Sequence, residues 1–270
     1  MKKILLILSM VTILFSCEKG SRLDMETSEQ VTLTYDIEAP VEFQIKSTPT
    51  TGQGSKINAL WYGVYHKKEN DSYVYVSEMS DFVQVTDASN ISVPIVLFKD
   101  QQYRIIFVAQ HVSDNTNTYT YTVDDEGNMS LNPQAAITDG EQLDAFVYWE
   151  DTGIIKNDYK RNITLTRPLA QINITTEAAV KPTSIDVEVS GIAQSYNIFN
   201  STYTAPNAKV SLTNLQCTGA SLGTVYFLTA PGSVQIQMVM KYNNGNPDKT
   251  VEIPYVSVAP NFKTNIKGNL

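Results

Sequence analysis

The segment Val31-Thr32-Leu33-Thr34-Tyr35-Asp36-Ile37 alternates apolar and polar side chains along its whole length. Because successive side chains of an extended chain point to opposite faces, this pattern predicts a strand with one face in a core. The same period of two recurs through most of the chain, between turns rich in Gly, Pro, Asn and Asp. Many short strands at this spacing favour an all-β fold built of antiparallel β-sandwiches.

Further strands are predicted wherever apolar residues alternate or form short runs. They cover residues 57–66, 73–76, 91–98, 103–108, 119–123, 129–131, 145–149, 162–167, 169–175, 185–189, 225–228, 234–242 and 250–253. We expect 91–98 to pair with 103–108, and we expect hairpins at the glycine-containing turns 124–128 and 243–247. Short helical turns are expected near 140–142 and within 193–199.

A domain boundary is predicted at Arg167-Pro168, because about seven strands precede it and a similar strand pattern restarts after it. The predicted organisation is a signal peptide at 1–16, a polar tether at 17–29, an N-terminal β-sandwich at 30–167 and a C-terminal β-sandwich at 168–270. The two halves show no repeat at the level of individual residues.

The N-terminus has the organisation of an export signal. Lys2 and Lys3 precede an apolar run over 4–15, which is too short to span a bilayer comfortably. The run ends in LFSC at 14–17, which looks like a bacterial lipobox. This predicts recognition by signal peptidase II through Leu14 and Ser16 and lipidation of Cys17, so that the chain is anchored to a membrane without spanning it. An ordinary secretory signal is the alternative.

The charge balance excludes one broad class of partner. The chain has 28 acidic and 20 basic residues and a formal net charge of −8, and loss of the signal removes two of the lysines. Nucleic-acid binding would need a basic face, so no nucleic-acid partner is expected. With Cys17 lipidated, Cys217 has no partner for an intrachain disulfide. Cys217 follows a segment in which alternate residues are apolar, and this favours an inert, buried thiol over a catalytic one.

Motifs for metal or cofactor chemistry are missing from the sequence, so no metal site and no cofactor are predicted. His66 and His111 have no second histidine or carboxylate at metal-ligand spacing. The acidic residues 124–126 lack the alternating oxygen-ligand spacing of a calcium loop and are better explained as a solvated turn.

Two patterns have both a functional and a structural interpretation. Glycoside hydrolysis needs two convergent carboxylates. Acidic residues are common in any sequence, so their presence alone does not indicate such a pair. No catalytic residues are therefore predicted, and the chain is expected not to be an enzyme. The carboxylates that would serve are Glu141, Asp144, Glu150 and Asp151. Aromatic residues at alternating strand positions fill cores more often than they form sugar-stacking platforms. Those residues are Trp61, Tyr62, Tyr65, Tyr73 and Tyr75.

Two segments resemble the fimbrillin-like lipoproteins of Bacteroidales, the type V pilus superfamily. RNITLTRPLAQINI at 161–174 is similar to the junction between the two domains of those proteins, and VAPNFKTNIKGNL at 258–270 is similar to their closing strand. The resemblance implies two transthyretin-like, Greek-key β-sandwiches in tandem. It also implies a lipidated precursor whose first strand is removed by a protease that cuts after Arg or Lys, leaving a groove for a strand of the next subunit.

Carried onto this chain, the resemblance implies a removable strand at 31–37 and a donor in the C-terminal segment ending near Leu270. Candidate processing sites are Arg22, Lys46 and Lys56, and a cut after Arg22 would leave the fold complete. We expect an outer-membrane, cell-surface structural or adhesive subunit, either anchor or accessory, that contacts other fimbrial or surface subunits and the membrane through Cys17. The alternative is a non-polymerising surface lipoprotein that binds a carbohydrate or host ligand.

Overall fold

The computed structural model describes residues 29–38, 56–86, 91–113 and 118–269. Within these ranges the regular structure consists of β-strands and two short 3₁₀ helices, Ser77–Met79 and Gly140–Leu143. The described residues contain no helix long and apolar enough to cross a membrane. The predicted all-β class is confirmed.

The strands are numbered in chain order. They are β1 Gln30–Glu38, β2 Ala59–Lys67, β3 Tyr73–Tyr75, β4 Asp81–Gln84, β5 Ile91–Phe98, β6 Gln102–Gln110, β7 Val112–Ser113, β8 Thr118–Tyr119, β9 Tyr121–Val123, β10 Asn128–Leu131, β11 Ala145–Ile154, β12 Tyr159–Thr164, β13 Leu169–Thr176, β14 Ser184–Ile192, β15 Ser195–Asn197, β16 Thr202–Tyr203, β17 Ala208–Gln216, β18 Ser221–Leu228, β19 Gly232–Lys241, β20 Lys249–Val258 and β21 Lys263–Gly268.

The first hydrophobic core lies between two sheets of the N-terminal half. One sheet has the order β12-β1-β5, and the other has the order β11-β6-β2-β3, with β4 also paired to β2. The alternating residues of β1 and β5 point into this core, where they join side chains of β2 and β6 such as Leu60 and Phe107. The period of two that predicted these strands therefore records which face of each strand is buried.

The second core lies in the C-terminal half, between the sheets β18-β13-β21 and β17-β14-β19-β20. The pairing repeats that of the first half. In each half the first strand lies in the centre of a three-stranded sheet, antiparallel to one neighbour and parallel to the last strand of that half: β1 lies between β5 and β12, and β13 lies between β18 and β21. The similarity of the halves is one of topology.

The two halves share structure across the predicted boundary. Strands β9 and β10 of the first half and β15 and β16 of the second form one sheet, in which Asn128 pairs with Asn197 and Met129 with Tyr196. Side chains of β6 and β11, including Ile106 and Val147, also belong to the second core. The boundary at Arg167-Pro168 stays a prediction.

Most local predictions are confirmed. The turns of both predicted hairpins contain a glycine with positive φ, Gly127 at +80° between β9 and β10 and Gly245 at +83° between β19 and β20. The predicted helical turn near residue 140 is the second 3₁₀ helix, which Asp139 caps by accepting a hydrogen bond from the Glu141 backbone N–H. The C-terminal segment lies within its own half as β21, parallel to β13.

Two local predictions are wrong. Residues 91–98 and 103–108 do not pair: β5 pairs with β1, and β6 pairs with β2 and β11 in the facing sheet. The physical reason is that β5 and β6 lie on opposite sides of the first core, so each pairs within its own sheet. Residues 193–199 form β15 and a turn instead of a helical turn, because β10 supplies hydrogen bonds to that segment.

Candidate functional site

Strand β1 is enclosed on both sides by hydrogen-bonded neighbours. It runs antiparallel to β5 from Gln30 opposite Phe98 to Ile37 opposite Ile91, and parallel to β12 over residues 33–38. Its inward side chains are at most 5% exposed. We call the space that β1 occupies between β5 and β12 the β1 seat. An empty seat would leave unpaired backbone groups on two strands and a slot in the first core.

A buried carboxylate lies beneath the β1 seat. Glu150, on β11 of the facing sheet, is only 6% exposed. It accepts hydrogen bonds from the Tyr35 hydroxyl, from the Tyr159 hydroxyl at 3.1 Å and from Nη1 of Arg161 at 2.5 Å. Tyr35 belongs to β1, whereas Tyr159 and Arg161 belong to β12. The cluster therefore connects both sheets across the core.

The environment of this cluster shifts the pKa values of its members. Burial, with the hydrogen bond to Glu150 next in importance, raises the pKa of Tyr35 far above its ordinary value of 10.0. Burial also raises the pKa of Tyr159 to about 12, and the charge of Glu150 raises that of Arg161. Both phenols therefore stay protonated at neutral pH and donate to the carboxylate, while Arg161 compensates its charge.

The rim of the β1 seat carries exposed polar contacts. Asp36 accepts hydrogen bonds from Lys160 at 2.6 Å and from the Ser92 hydroxyl at 2.9 Å, and these two contacts lower its pKa. Lys99 pairs with Glu29 at 2.9 Å. Because solvent screens these ion pairs, they add little to the stability of the sheet, and the buried inward face of β1 contributes most of its attachment.

A second polar cluster lies where the two halves join. Arg167, in the link from β12 to β13, donates from Nε and Nη2 to the two carboxylate oxygens of Asp144 at 2.7 and 2.9 Å. The side chains are 0% and 1% exposed. Nη1 of Arg167 lies 3.4 Å from Oδ1 of Asn261, and its guanidinium stacks 4.2 Å from the ring centre of Phe146. This bidentate ion pair fixes the position of the Arg167 guanidinium at the junction.

An open cleft runs along the same junction. Its main part, about 660 Å³, is lined by Tyr121 and Leu131 from the first half and by Ile192 and Asn207 from the second. A neighbouring part of about 470 Å³ adds the side chains of β9 and the turn before β10. The cleft combines an apolar floor with amide and hydroxyl groups, a composition found in sites for small polar ligands.

Most of the site residues predicted from the sequence lie outside the described residues. These are Leu14, Ser16, Cys17, Arg22 and Lys46. Lys56 is described and lies in an exposed turn, where its Nζ is 3.5 Å from Oδ2 of Asp139. Lipidation and processing at these positions stay predictions.

The four carboxylates considered for hydrolysis do not form a convergent catalytic pair. Glu150 and Asp151 are adjacent on β11 and therefore point to opposite faces of its sheet. Asp151 instead accepts a hydrogen bond from Tyr73 at 2.5 Å. Asp144 is held at the junction, and Glu141 accepts a hydrogen bond from the Tyr226 hydroxyl at 3.0 Å.

The remaining polar candidates have structural roles. The Asp124 carboxylate accepts hydrogen bonds from the backbone N–H groups of Glu126 and Asn128 at 3.0 and 2.8 Å, which stabilises the β-turn. His66 lies 2.9 Å from the Gln101 side-chain oxygen. Among the described residues no three His, Cys, Asp or Glu side chains form a group that could hold a metal ion.

The aromatic residues of β2 and β3 pack in or against the two hydrophobic cores, as the structural interpretation predicted. Tyr65 is buried in the second core, and Trp61, Tyr73 and Tyr75 pack partly buried against it. Tyr62 packs against the first core. They do not form an exposed stacking platform.

The sequence contains only weak signals for the cluster beneath the β1 seat. Tyr35 is the one polar-tipped side chain on the inward face of its strand, and Glu150 follows the largely apolar run AFVYW. Each signal suggests a buried polar atom in need of a partner. Neither identifies that partner, because it lies on another strand.

Comparisons with known proteins support the fold. The model of a family of unknown function, DUF6562, matches residues 24–270. A solved structure of a candidate cell adhesion protein from Bacteroides fragilis NCTC 9343 superimposes with a TM-score of 0.53 at 13% identity, covering 88% of this chain and 92% of that chain. No curated protein matches the sequence.

Two other solved structures match less closely. A candidate adhesin from Bacteroides thetaiotaomicron VPI-5482 has a TM-score of 0.49 at 10% identity, covering 86% of this chain and 82% of that chain. The C-terminally truncated tip fimbrial protein Mfa3 from Porphyromonas gingivalis has a TM-score of 0.45 at 13% identity, covering 88% and 95%. The likeness to the Bacteroides fragilis structure shows a shared fold.

Proposed function

The chain belongs to the DUF6562 family of unknown function, and from this premise we propose that it is a surface lipoprotein with a structural or adhesive role in a fimbrium. In this proposal Cys17 carries the lipid that holds the protein at the outer membrane, facing the cell surface. The protein acts as an anchor or accessory subunit and contacts other subunits by β-strand addition. The shared fold of the Bacteroides fragilis candidate adhesion protein supports the proposal.

The single observation that carries this proposal is the β1 seat. Strand β1 is the central strand of its sheet, and among the described strands its covalent connection to the others runs only through residues 39–55. A cut in that segment would leave β1 held by non-covalent contacts alone. A partner strand with the same alternation of apolar and polar residues would then pair with the backbone groups of β5 and β12 and fill the same positions in the first core.

Features of the outer strands favour replacement of β1 over addition at an existing edge. The edge strand β5 contains Pro94, which cannot donate to a neighbouring strand. The edge strand β20 contains Pro254, followed by Tyr255 at a φ of +60°, where the pairing register shifts. Such irregularities protect edges from further pairing.

Two β-sandwich domains in tandem are part of the proposal. The two hydrophobic cores and the repeated strand pairing support this division. In it, the sheet shared by β10 and β15 and the contact of Arg167 with Asn261 join the two sandwiches.

The first test is the intact mass and N-terminal sequence of the protein recovered from its native envelope, with a Cys17→Ala variant as control. We expect a mature start at acylated Cys17, which identifies an anchor or accessory subunit. A lipid-free start after Lys46 or Lys56 would identify a stalk subunit that has lost β1. Wild-type protein that begins ahead of Lys46, has no acyl mass and is distributed like the Cys17→Ala variant would contradict the lipoprotein proposal.

Assembly is tested by treating the envelope protein with a protease that cuts after Lys or Arg and then sedimenting it. We expect the protein to co-sediment with pilus fractions. Protein that stays monomeric under every processing condition would contradict the fimbrial proposal.

The alternative is a non-polymerising lipoprotein that binds a carbohydrate or host ligand, and the junction cleft favours it. Gln194 contributes to both parts of the cleft. A glycan array probed with the wild-type protein and with Gln194→Ala tests this idea. Ligand binding that is lost in the variant would support it, and an array without hits would exclude glycans.

A further inference from the structure

The carboxylate of Glu150 has four side-chain hydrogen-bond donors, and one of them, Tyr35, belongs to β1. The fourth donor, the Tyr148 hydroxyl of β11, is the most distant at 3.5 Å. Tyr159 and Arg161 belong to β12, which stays covalently connected to the chain when β1 departs, but the Tyr35 hydroxyl leaves with its strand. A strand that enters the β1 seat must therefore supply a replacement. A buried acceptor that loses its donor without gaining water is strongly destabilising.

The shape of the core limits which side chain can be the replacement. Tyr35 reaches from β1 across to β11 in the facing sheet, with its ring centre 4.9 Å from that of Phe107. Phenylalanine would fill the same space without the hydroxyl, and serine or threonine would be too short to reach Glu150. An acidic side chain would place a second negative charge beside the first.

We propose that Glu150 makes the β1 seat selective for a partner strand that carries a tyrosine at the position of Tyr35. This inference rests on the proposed replacement of β1 by a strand from another subunit. The partner strand has aliphatic residues at the positions equivalent to Val31, Leu33 and Ile37 and a tyrosine between the last two. Backbone pairing supplies general affinity, and the phenol supplies discrimination between strands.

The C-terminal segment of a second copy does not match this requirement. Strand β21 pairs with β13 so that Thr264 lies opposite Ile172 and Ile266 opposite Ile174, both of which are fully buried. Its inward face thus carries one large apolar side chain and no aromatic residue. A second copy would fill the seat poorly and leave Glu150 one donor short, so the matching strand belongs to a different subunit.

The test uses the full mature chain with a specific protease site inserted in the segment 47–55, so that cleavage leaves β1 bound without a covalent link. Fluorescent peptides spanning residues 29–38 then compete for the seat, and exchange is followed by native mass spectrometry and anisotropy. The peptides are the wild-type sequence, Tyr35→Phe, the matched control Thr34→Val and the chain's own segment 263–270. Each substituted peptide lacks one hydroxyl, but only Tyr35 points inward.

We expect the Tyr35→Phe peptide to bind about tenfold to a hundredfold more weakly than the wild-type peptide, since a hydrogen bond to a charged group is lost. The Thr34→Val peptide should bind within about threefold of wild type. The 263–270 peptide should not displace β1. In a Glu150→Gln protein the difference between the tyrosine and phenylalanine peptides should shrink, because the acceptor is neutral.

The outcomes separate this inference from the proposed function. If the wild-type peptide exchanges and the Tyr35→Phe peptide exchanges equally well, selectivity by Glu150 is refuted and strand replacement stands. If neither peptide exchanges after complete cleavage, β1 is not replaceable, and both strand replacement and the selectivity built on it are refuted. Exchange by the 263–270 peptide would overturn the assignment of the partner to a different subunit.

Discussion

Replacing Arg167 with methionine should destabilise the whole protein strongly. The substitution leaves the Asp144 carboxylate buried at 1% exposure, without the two hydrogen bonds of 2.7 and 2.9 Å that now neutralise it. Removing one partner of a buried ion pair costs about 3–5 kcal/mol. For a chain of this size that corresponds to a fall in melting temperature on the order of 10 °C.

The assay is thermal and urea unfolding followed by circular dichroism, with two comparison variants. Lys209→Met removes an ion pair with Glu188 whose side chains are 64% and 34% exposed, so it should destabilise the protein far less than Arg167→Met. The double variant Arg167→Met, Asp144→Leu removes both buried charges of the pair, and much of the lost stability should return.

Two results would refute this reasoning. One is an Arg167→Met protein that unfolds at the same urea concentration as Lys209→Met. The other is a double variant that is no more stable than Arg167→Met alone, since that would show that the buried charge of Asp144 is not the cause of the loss.

Three further predictions concern other parts of the fold. A Cβ at Gly140 would lie 1.6 Å from the backbone oxygen of Thr224, so Gly140→Ala should lower the free energy of unfolding in urea by at least about 1–3 kcal/mol. The matched control Gly232→Ala should cost less, because its Cβ would lie 3.9 Å from the backbone oxygen of Ala230. Burial raises the pKa of Glu141 above its ordinary 4.5, so the free energy of unfolding falls as pH rises from 4.5 through the raised pKa. Glu141→Gln should therefore be more stable than wild type at pH 7 but not at pH 4. An equal difference in stability at the two pH values would contradict this prediction. Burial also raises the pKa of the Cys217 thiol, so iodoacetamide should label the native protein much more slowly at pH 7.5 than the urea-unfolded protein, and equal rates would contradict the burial.

How far the sequence predicts the candidate site is clear from β1. Its alternation predicted the strand, its buried face and its place near the start of the fold, all of which the structure confirms. The chemistry beneath it was not predictable, because Tyr35 and Glu150 are 115 positions apart and meet only across two facing sheets. Glu150 was considered only as a hydrolytic carboxylate, since an acidic residue in isolation gives no sign of its partner.

The sequence by itself determined the features that depend on neighbouring residues. These are the all-β class, the faces of most strands and the two turns with glycine at positive φ. Tertiary structure alone decided which strands are neighbours, so that β5 pairs with β1 instead of β6, and β12 lies parallel to β1. The physical reason is that a period of two specifies which face is buried, whereas every exposed backbone edge offers the same hydrogen-bonding groups. The choice of partner therefore depends on how all the strands pack together around the two cores.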